Sequence, residues 1–270
     1  MVTHTDLRTD GPGGAAFTSL GAFTPSTDPD PRHLDSPVRS ALIGRHAHLA
    51  LTAGRVIRYR PDVSAFIGHP PDMTGDDWAD LWRLVGAGAT FSLRDYDGGP
   101  PPDPIRLVRT FDVVQLTGHD LATRPDPEAV VLGRRDVPEM LELVSRTRPG
   151  PFRIATVEMG RYLGIRRSGR LVAMAGERMK PTGWTEISAV CVDPDHRRNG
   201  LATRLVRAVG DAVRADGATP FLHAAATNHD AIRLYQDLGF TLRHTVVLSF
   251  FESGSHSPPS SRRTRTRHQL

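Results

Sequence analysis

The stretch DPDHRRNGLATRL, Asp193 to Leu205, carries the densest chemical signal in the 270-residue chain. An apolar run, Ile187 to Val192, stops at Pro194, and His196, Arg197 and Arg198 crowd a turn that ends in Gly200. Beyond it Leu201, Leu205, Val209 and Ala212 recur on one helical face that must pack on a sheet. The turn then aims the free backbone N–H groups of Arg198 to Ala202 outward, past the end of a strand. Such amides, with the positive end of the helix dipole, suit an anion, each favourable contact contributing about 1 kcal/mol. Gly200 and Ala202 keep the approach clear, and Arg197 and Arg198 add charge, so a diphosphate is the natural ligand. The absence of a Gly-Lys-Ser/Thr and of a third glycine here disfavours nucleotide hydrolysis and dinucleotide binding.

Other chemistry-bearing residues are weaker candidates. Cys191 is the sole cysteine, which excludes an intrachain disulfide and a multi-cysteine metal site. With no partner base in view, it reads as small core filler rather than an acyl-carrying nucleophile. His46 and His48 read as surface or core residues, so no metal is expected. His196 in a loop and His223 in a strand receive no role. GPGGAA, near the N-terminus, has the dinucleotide spacing but lacks a strand before Gly11 and a helix after it.

The elements that must position the turn can be read around it. DVPEMLELVSRT predicts a helix with Asp136 as N-cap and Pro138 in its first turn. YLGIRR and RLVAMAGERM read as a hairpin about Ser168 and Gly169, and WTEISAVCV as a third strand. A helix from Gly200 to Ala215, a strand TPFLHAAA, a helix from Asp230 to Leu238 and a strand TVVLSFF follow. Antiparallel strands, then a crossover helix and a further strand, give a mixed, mostly antiparallel α/β sheet flanked by helices. Upstream, PVRSALIGRHAHLAL spaces Val38 through Leu51 at helical period, as does DDWADLWRLVGAG. ATFSLRDY and RTFDVVQLTG read as strands around the turn GGPPPDP. The expected organisation is a disordered arm over 1–34, a smaller α/β unit over 35–125 and a main unit over 128–254. ATRPDPEA is read as the linker between the two units, and a disordered basic tail covers 255–270.

Composition narrows the class. The formal charge of +4 lies in the tail: Arg262, Arg263, Arg265 and Arg267 stand there without an acid, and the remainder balances at 30 basic and 30 acidic residues. No basic stripe across a folded face is implied, so nucleic acid is not an expected partner. No signal peptide and no run of membrane-spanning length is evident, so a soluble cytoplasmic protein in a reducing compartment is expected. Lys180 is the only lysine, in keeping with a GC-rich bacterial genome.

Val192, Pro194, Arg197, Gly200 and Ala202 match the segment V-x-P-x-x-R/Q-x-x-G-x-G/A of the GNAT superfamily of acyl-CoA-dependent N-acetyltransferases, which the chain resembles over about 130–252. NHDAIRLYQDLGF, Asn228 to Phe240, is similar to the second signature of that family, in the right order and spacing. A poorly matching first half ahead of it also resembles the glycine N-acyltransferase subgroup, whose first half is a degenerate copy of the same GNAT fold. The sequence departs from the pattern at Arg198, where the family usually has glycine.

The resemblance implies acetyl-CoA, or another acyl-CoA, as co-substrate. It places Arg197, Arg198, Asn199, Gly200, Leu201, Ala202 and Thr203 around the diphosphate. Val190, Cys191 and Val192 fall along the pantetheine, which adds like a strand, and Asn228 bonds it or caps the next helix. Attack on the thioester needs a neutral amine, and at pH 7.4 an amine of pKa about 10.4 is only about one part in a thousand neutral, a handicap of roughly 4 kcal/mol. A positioned base contributes about 10² to 10⁴ in rate. Glu186 matches the family's glutamate base, with Glu177 or a water chain as alternatives. Tyr235 occupies the general-acid position, where its main contribution is a hydrogen bond to sulfur as charge develops. The acceptor is expected to be a small-molecule primary amine touching the first helix and the loop Arg146 to Phe152. An acyl-CoA-binding module without turnover and a protein N-acetyltransferase are the alternative functions.

Overall fold

The computed structural model describes residues 28–255. Sixteen regular elements alternate along the chain. They are α1 (Pro37–Ile43), β1 (Ala50–Ala53), β2 (Val56–Tyr59), β3 (Ile67–Gly68), α2 (Gly75–Val85), β4 (Thr90–Arg94), β5 (Ile105–Thr117), β6 (Val130–Leu132), α3 (Val137–Thr147), β7 (Tyr162–Arg167), β8 (Arg170–Glu177), β9 (Trp184–Val192), α4 (Leu201–Ala215), β10 (Thr219–Ala225), α5 (His229–Asp237) and β11 (Thr241–Ser253). Eight strands form one sheet in the order β4-β11-β5-β10-β9-β8-β7-β6, and β1-β2-β3 make a second, smaller sheet. Among the named strands only β9 and β10 pair in parallel. The fold is the mixed, mostly antiparallel α/β arrangement expected from the sequence, with helices against the sheet.

Local chemistry accounts for the elements that frame the site. Ser168 and Gly169 both take positive φ, 49° and 79°, the turn that joins β7 to β8 at the twist of the strands. α4 buries Leu201, Leu205, Val206, Val209 and Val213 against the sheet, in a core that also takes Ile165, Val172, Ile187 and Leu222. A fully buried Leu or Val contributes about 1.5–3 kcal/mol, so this stripe anchors the helix whose N-terminus follows Gly200. α2 starts with a capping box in which Thr74 Oγ1 accepts from Asp77 N and Asp77 Oδ2 accepts from Thr74 N.

Three expectations need correction. The helical period over Val38–Leu51 breaks: α1 ends at Ile43, and Ala50–Ala53 enters a hairpin with β2, in which Val56, Ile57 and Tyr59 are buried. The hairpin and the small sheet decide between two readings that the apolar spacing alone leaves equal. The supposed arm is ordered over 28–34, where Leu34 is fully buried and the Asp30 carbonyl accepts from Trp184 Nε1 at 3.1 Å. Its remainder, with GPGGAA, and the tail beyond residue 255 lie outside the described residues. Finally, β4 and β5, read as part of a separate first unit, are hydrogen-bonded to β11 and β10 within the large sheet. The segment 122–129 that joins the halves is pinned by Asp126, which takes Arg204 at 2.6 and 2.8 Å. No helix among the described residues is long and apolar enough to cross a membrane.

Candidate active site

The site begins where two strands part. β9 and β10 are paired from Thr219↔Trp184 to Phe221↔Glu186 and no further. β10 continues along β5 to Ala225↔Val113, while β9 follows β8 to Val192↔Ala173. One extra residue in β9 shifts its register against β8 between Ser188 and Cys191, and Ala189 takes a φ of 52°. This bulge bends β9 further from β10. The cleft between them opens into a cavity of about 750 Å³. Ile187 to Val192 line one side, His223 to Ala225 the other, and Arg197, Asn228, Ala231 and Tyr235 one end.

At that end the turn after β9 is held by Asp193, which is 2% exposed; its Oδ1 accepts from Asp195 N at 3.1 Å and Oδ2 pairs with Arg146 at 3.1 Å. Arg198 and Gly200 both adopt positive φ, 65° and 71°. Any Cβ at 198 is strained there, which is the physical reason a glycine suits that position. The helical hydrogen bonds start with Arg204 N to Gly200 O, and the amides of Arg198, Asn199, Gly200, Leu201, Ala202 and Thr203 have no acceptor among the described residues. Six free donors at the N-terminus of a fifteen-residue helix, next to Arg197, form an anion site. Asn228 caps α5 through Oδ1, accepting from Ala231 N at 3.2 Å. Tyr235 is 8% exposed, and its hydroxyl has no hydrogen-bond partner among the described residues. Burial, with the Cys191 sulfur nearby, pushes its pKa up to about 12.

Behind the cleft, where the strands part, lies a buried ionic network. Glu186 is fully buried. Its Oε1 accepts from Arg178 Nη2 at 2.6 Å and faces His223 Nδ1 at 2.7 Å; Oε2 accepts from Arg178 Nε at 2.8 Å. Burial alone would raise its pKa, but Arg178 and His223 hold the carboxyl down at about 2. His223 Nε2 meets Arg94 Nη1 at 2.8 Å and Gln115 Nε2 at 3.1 Å. Both are donors, so Nε2 carries the lone pair and Nδ1 the proton it gives to Glu186. Burial lowers the His223 pKa, against the pull of Glu186. Leu34 O accepts from both Arg94 and Gln115, which ties residues 28–34 to the network.

The cavity thus gathers Val190, Cys191, Val192, Arg197, Asn228 and Tyr235, with Arg198 to Thr203 following Arg197 and Glu186 behind His223 and Arg178. Glu177 points elsewhere: it is buried against Lys180 Nζ at 2.6 Å and accepts from Arg161 N at 3.1 Å. The Cys191 thiol is pushed by burial to about 11, despite bonds to Thr147 and Met174. His196 lies 3.8 Å from Asp193 outside the cavity, and buried His46 bridges Tyr59 and Met159 at 2.8 and 2.9 Å. Among the described residues no cluster of His, Cys, Asp or Glu is arranged to hold a metal ion. Thr147 to Pro151, from the loop expected to meet the acceptor, line the cavity. Sequence reasoning passed over Arg178, Arg94 and Gln115, which no motif marks; Arg178 and Glu186 reach each other because β8 and β9 are antiparallel neighbours.

The profile of the FR47-like protein family matches residues 162–248. No curated protein sequence matches the chain. A crystal structure from Novosphingobium aromaticivorans, described as an acetyltransferase of the GNAT family, is 36% identical. The match covers 83% of this chain and 99% of that one, with a TM-score of 0.74. A GCN5-related N-acetyltransferase from Kribbella flavida shares the fold at 18% identity and a TM-score of 0.51, over 82% of this chain and 92% of that one. At 36% identity to the first of these over most of this chain and nearly the whole of that one, the protein belongs to the GNAT family of acetyltransferases.

Proposed function

We propose that the protein transfers an acetyl or other small acyl group from CoA to a primary amine of a small molecule, by direct attack within a ternary complex. The observation that carries this is one cavity with two unlike ends: free amides and Arg197 beside α4, and the Glu186–His223 pair with Arg178 and Arg94 where β9 and β10 part. Acyl-CoA bound there supplies a thioester whose carbonyl accepts the amine. The amides of Arg198 to Thr203 receive the diphosphate, and the free edge of Val190 to Val192 receives the pantetheine.

The remaining residues divide the proton work. Glu186, at about 2 and already holding Arg178 and His223, is a poor direct acceptor for an amine proton. Its role is to fix the His223 tautomer and balance the Arg178 charge; His223 Nε2 already receives Arg94 and Gln115, so the amine proton leaves through water in the cavity. At about 12 the Tyr235 phenol stays protonated throughout the neutral range, and its free hydroxyl donates to the sulfur as the C–S bond breaks. A buried thiol at about 11 is no thiolate at neutral pH, which favours direct attack over an acyl-Cys191 intermediate. Enclosure by Pro37, Val38, Phe66 and Phe91 favours a small acceptor over a protein chain. The cellular supply of acyl-CoA fits the cytoplasmic placement expected from the lone cysteine.

The test is CoA-thiol release from acetyl-CoA across a broad amine panel. Amine-dependent release is expected; tight acetyl-CoA binding with no release from any amine would establish the binding module instead.

A further inference from the structure

The wall of the cavity that β4, β11 and β5 build is apolar and cationic together. In the sheet, Arg94 of β4 lies opposite Leu248 of β11, which lies opposite Phe111 of β5; one step along, Ser92, Phe250 and Arg109 stand in the same order. Alternate residues share a face, so the two rows make one floor, and all six residues line the cavity. Arg148 faces it from the loop after α3. No Asp or Glu side chain among the described residues lines it.

Its guanidinium groups are unequally matched. Arg178 is met by Glu186, and Arg197 sits at the diphosphate turn. Arg109, on the exposed stretch of β5, is held 4.2 Å above the Phe250 ring, and neither it nor the equally exposed Arg148 has a carboxylate partner among the described residues. Arg94 has only Asp95, at 3.3 Å, and otherwise donates to His223 and Leu34. Guanidinium groups facing an apolar cavity without counter-charge favour an anionic ligand, which they bind through charge-assisted, often bidentate hydrogen bonds. The same positive field disfavours an ammonium group and so promotes the neutral amine that attack requires.

Building on the acyltransferase reading, we infer that the acceptor is a free amino acid with a large apolar side chain, its carboxylate received by the arginines of the β4-β11-β5 floor. Phe66, Phe111, Phe250 and Leu248 surround the side chain.

The test compares phenylalanine, phenylalaninamide and phenethylamine as acceptors with acetyl-CoA. We expect kcat/KM for the amino acid to exceed both others at least 100-fold, and Arg109→Gln to raise its KM about 10-fold with the acetyl-CoA KM within 2-fold of wild type. Equal or faster reaction of the amide or the amine would overturn the inference while leaving acyl transfer intact. Calorimetry with N-acetylphenylalanine and its amide keeps the question separate from turnover. A carboxylate preference of about 10-fold that Arg109→Gln removes supports the anion site even in a protein that releases no CoA, and equal affinities overturn it.

Discussion

The two ends of the cavity are built from different materials. The end beside α4 is backbone: six amides of one continuous turn, fixed by Gly200, the helix that follows and the buried Asp193. The opposite end is side chain: Arg94, Arg109, Gln115, Glu186 and His223 come from four strands, and Arg178 from just past β8, spread over 130 positions of sequence. A backbone site needs residues close in sequence and tolerates most side chains around it. A side-chain site needs a sheet to assemble it, and each member depends on its neighbours for charge balance.

That contrast is broken most severely at Glu186. Glu186→Gln leaves the buried Arg178 without its counter-charge, a loss of about 3–5 kcal/mol in stability. It should also lower kcat about 1,000-fold, while the acetyl-CoA dissociation constant stays near wild type because the amides are untouched. Rates and thermal unfolding measured on the same sample check both. The sign of the pH effect follows from the carboxyl standing at about 2 instead of 4.5. Its contribution to stability is complete above about pH 4.5 and is lost as pH falls towards 2. Wild-type melting temperatures should drop across that window through a step that Glu186→Gln lacks.

Tyr235 lines the end beside Arg197 and Asn228, and its replacement separates chemistry from binding. Tyr235→Phe keeps the ring packed against Phe240, 5.9 Å away, and removes only the free hydroxyl. A fall in kcat of about 100-fold with unchanged CoA affinity is expected from stopped-flow and equilibrium binding. With the phenol at about 12, no loss of rate from its ionisation should be seen below pH 10.

The division also explains what could be read in the chain. Asp193 to Leu205 spelled out strand end, turn and helix start, because an anion site made of consecutive amides leaves a consecutive signature. The hairpin around Ser168 and Gly169 and the run Trp184–Val192 were legible for the same reason: local turn chemistry and alternation agree with the sheet. Ala50–Ala53 was not, because pairing with Val56–Tyr59 outweighs an ambiguous helical period. Nor was the ordered stretch up to Leu34, whose proline-rich composition hides one buried side chain and a carbonyl that takes Arg94 and Gln115. Nothing local distinguishes Arg94 and Arg109 from ordinary strand arginines; they meet at one cavity only because β5 lies between β10 and β11 in the sheet. The sequence marked His223 without a role, since its partners Glu186, Arg94 and Gln115 lie 37, 129 and 108 positions away.

The smallest effect is expected at the backbone end. Arg198→Gly removes a side chain from a φ of 65°, a conformation that costs a non-glycine residue roughly 1–2 kcal/mol. Part of that gain is offset by the greater freedom of glycine in the unfolded chain. A net stabilisation of about 0.5 kcal/mol by chemical denaturation is expected, with acetyl-CoA affinity reduced no more than about 3-fold. A large loss of affinity would mean that the Arg198 side chain, and not the amides, carries the anion site.

The most direct measurement is a crystal structure of the protein with CoA. The diphosphate is expected on the amides of Arg198 to Thr203, with the thiol within hydrogen-bond distance of the Tyr235 hydroxyl and the floor of Arg94 and Arg109 left open beyond it. CoA seated with its diphosphate on those arginines, or its thiol directed away from Tyr235 and His223, would contradict the account.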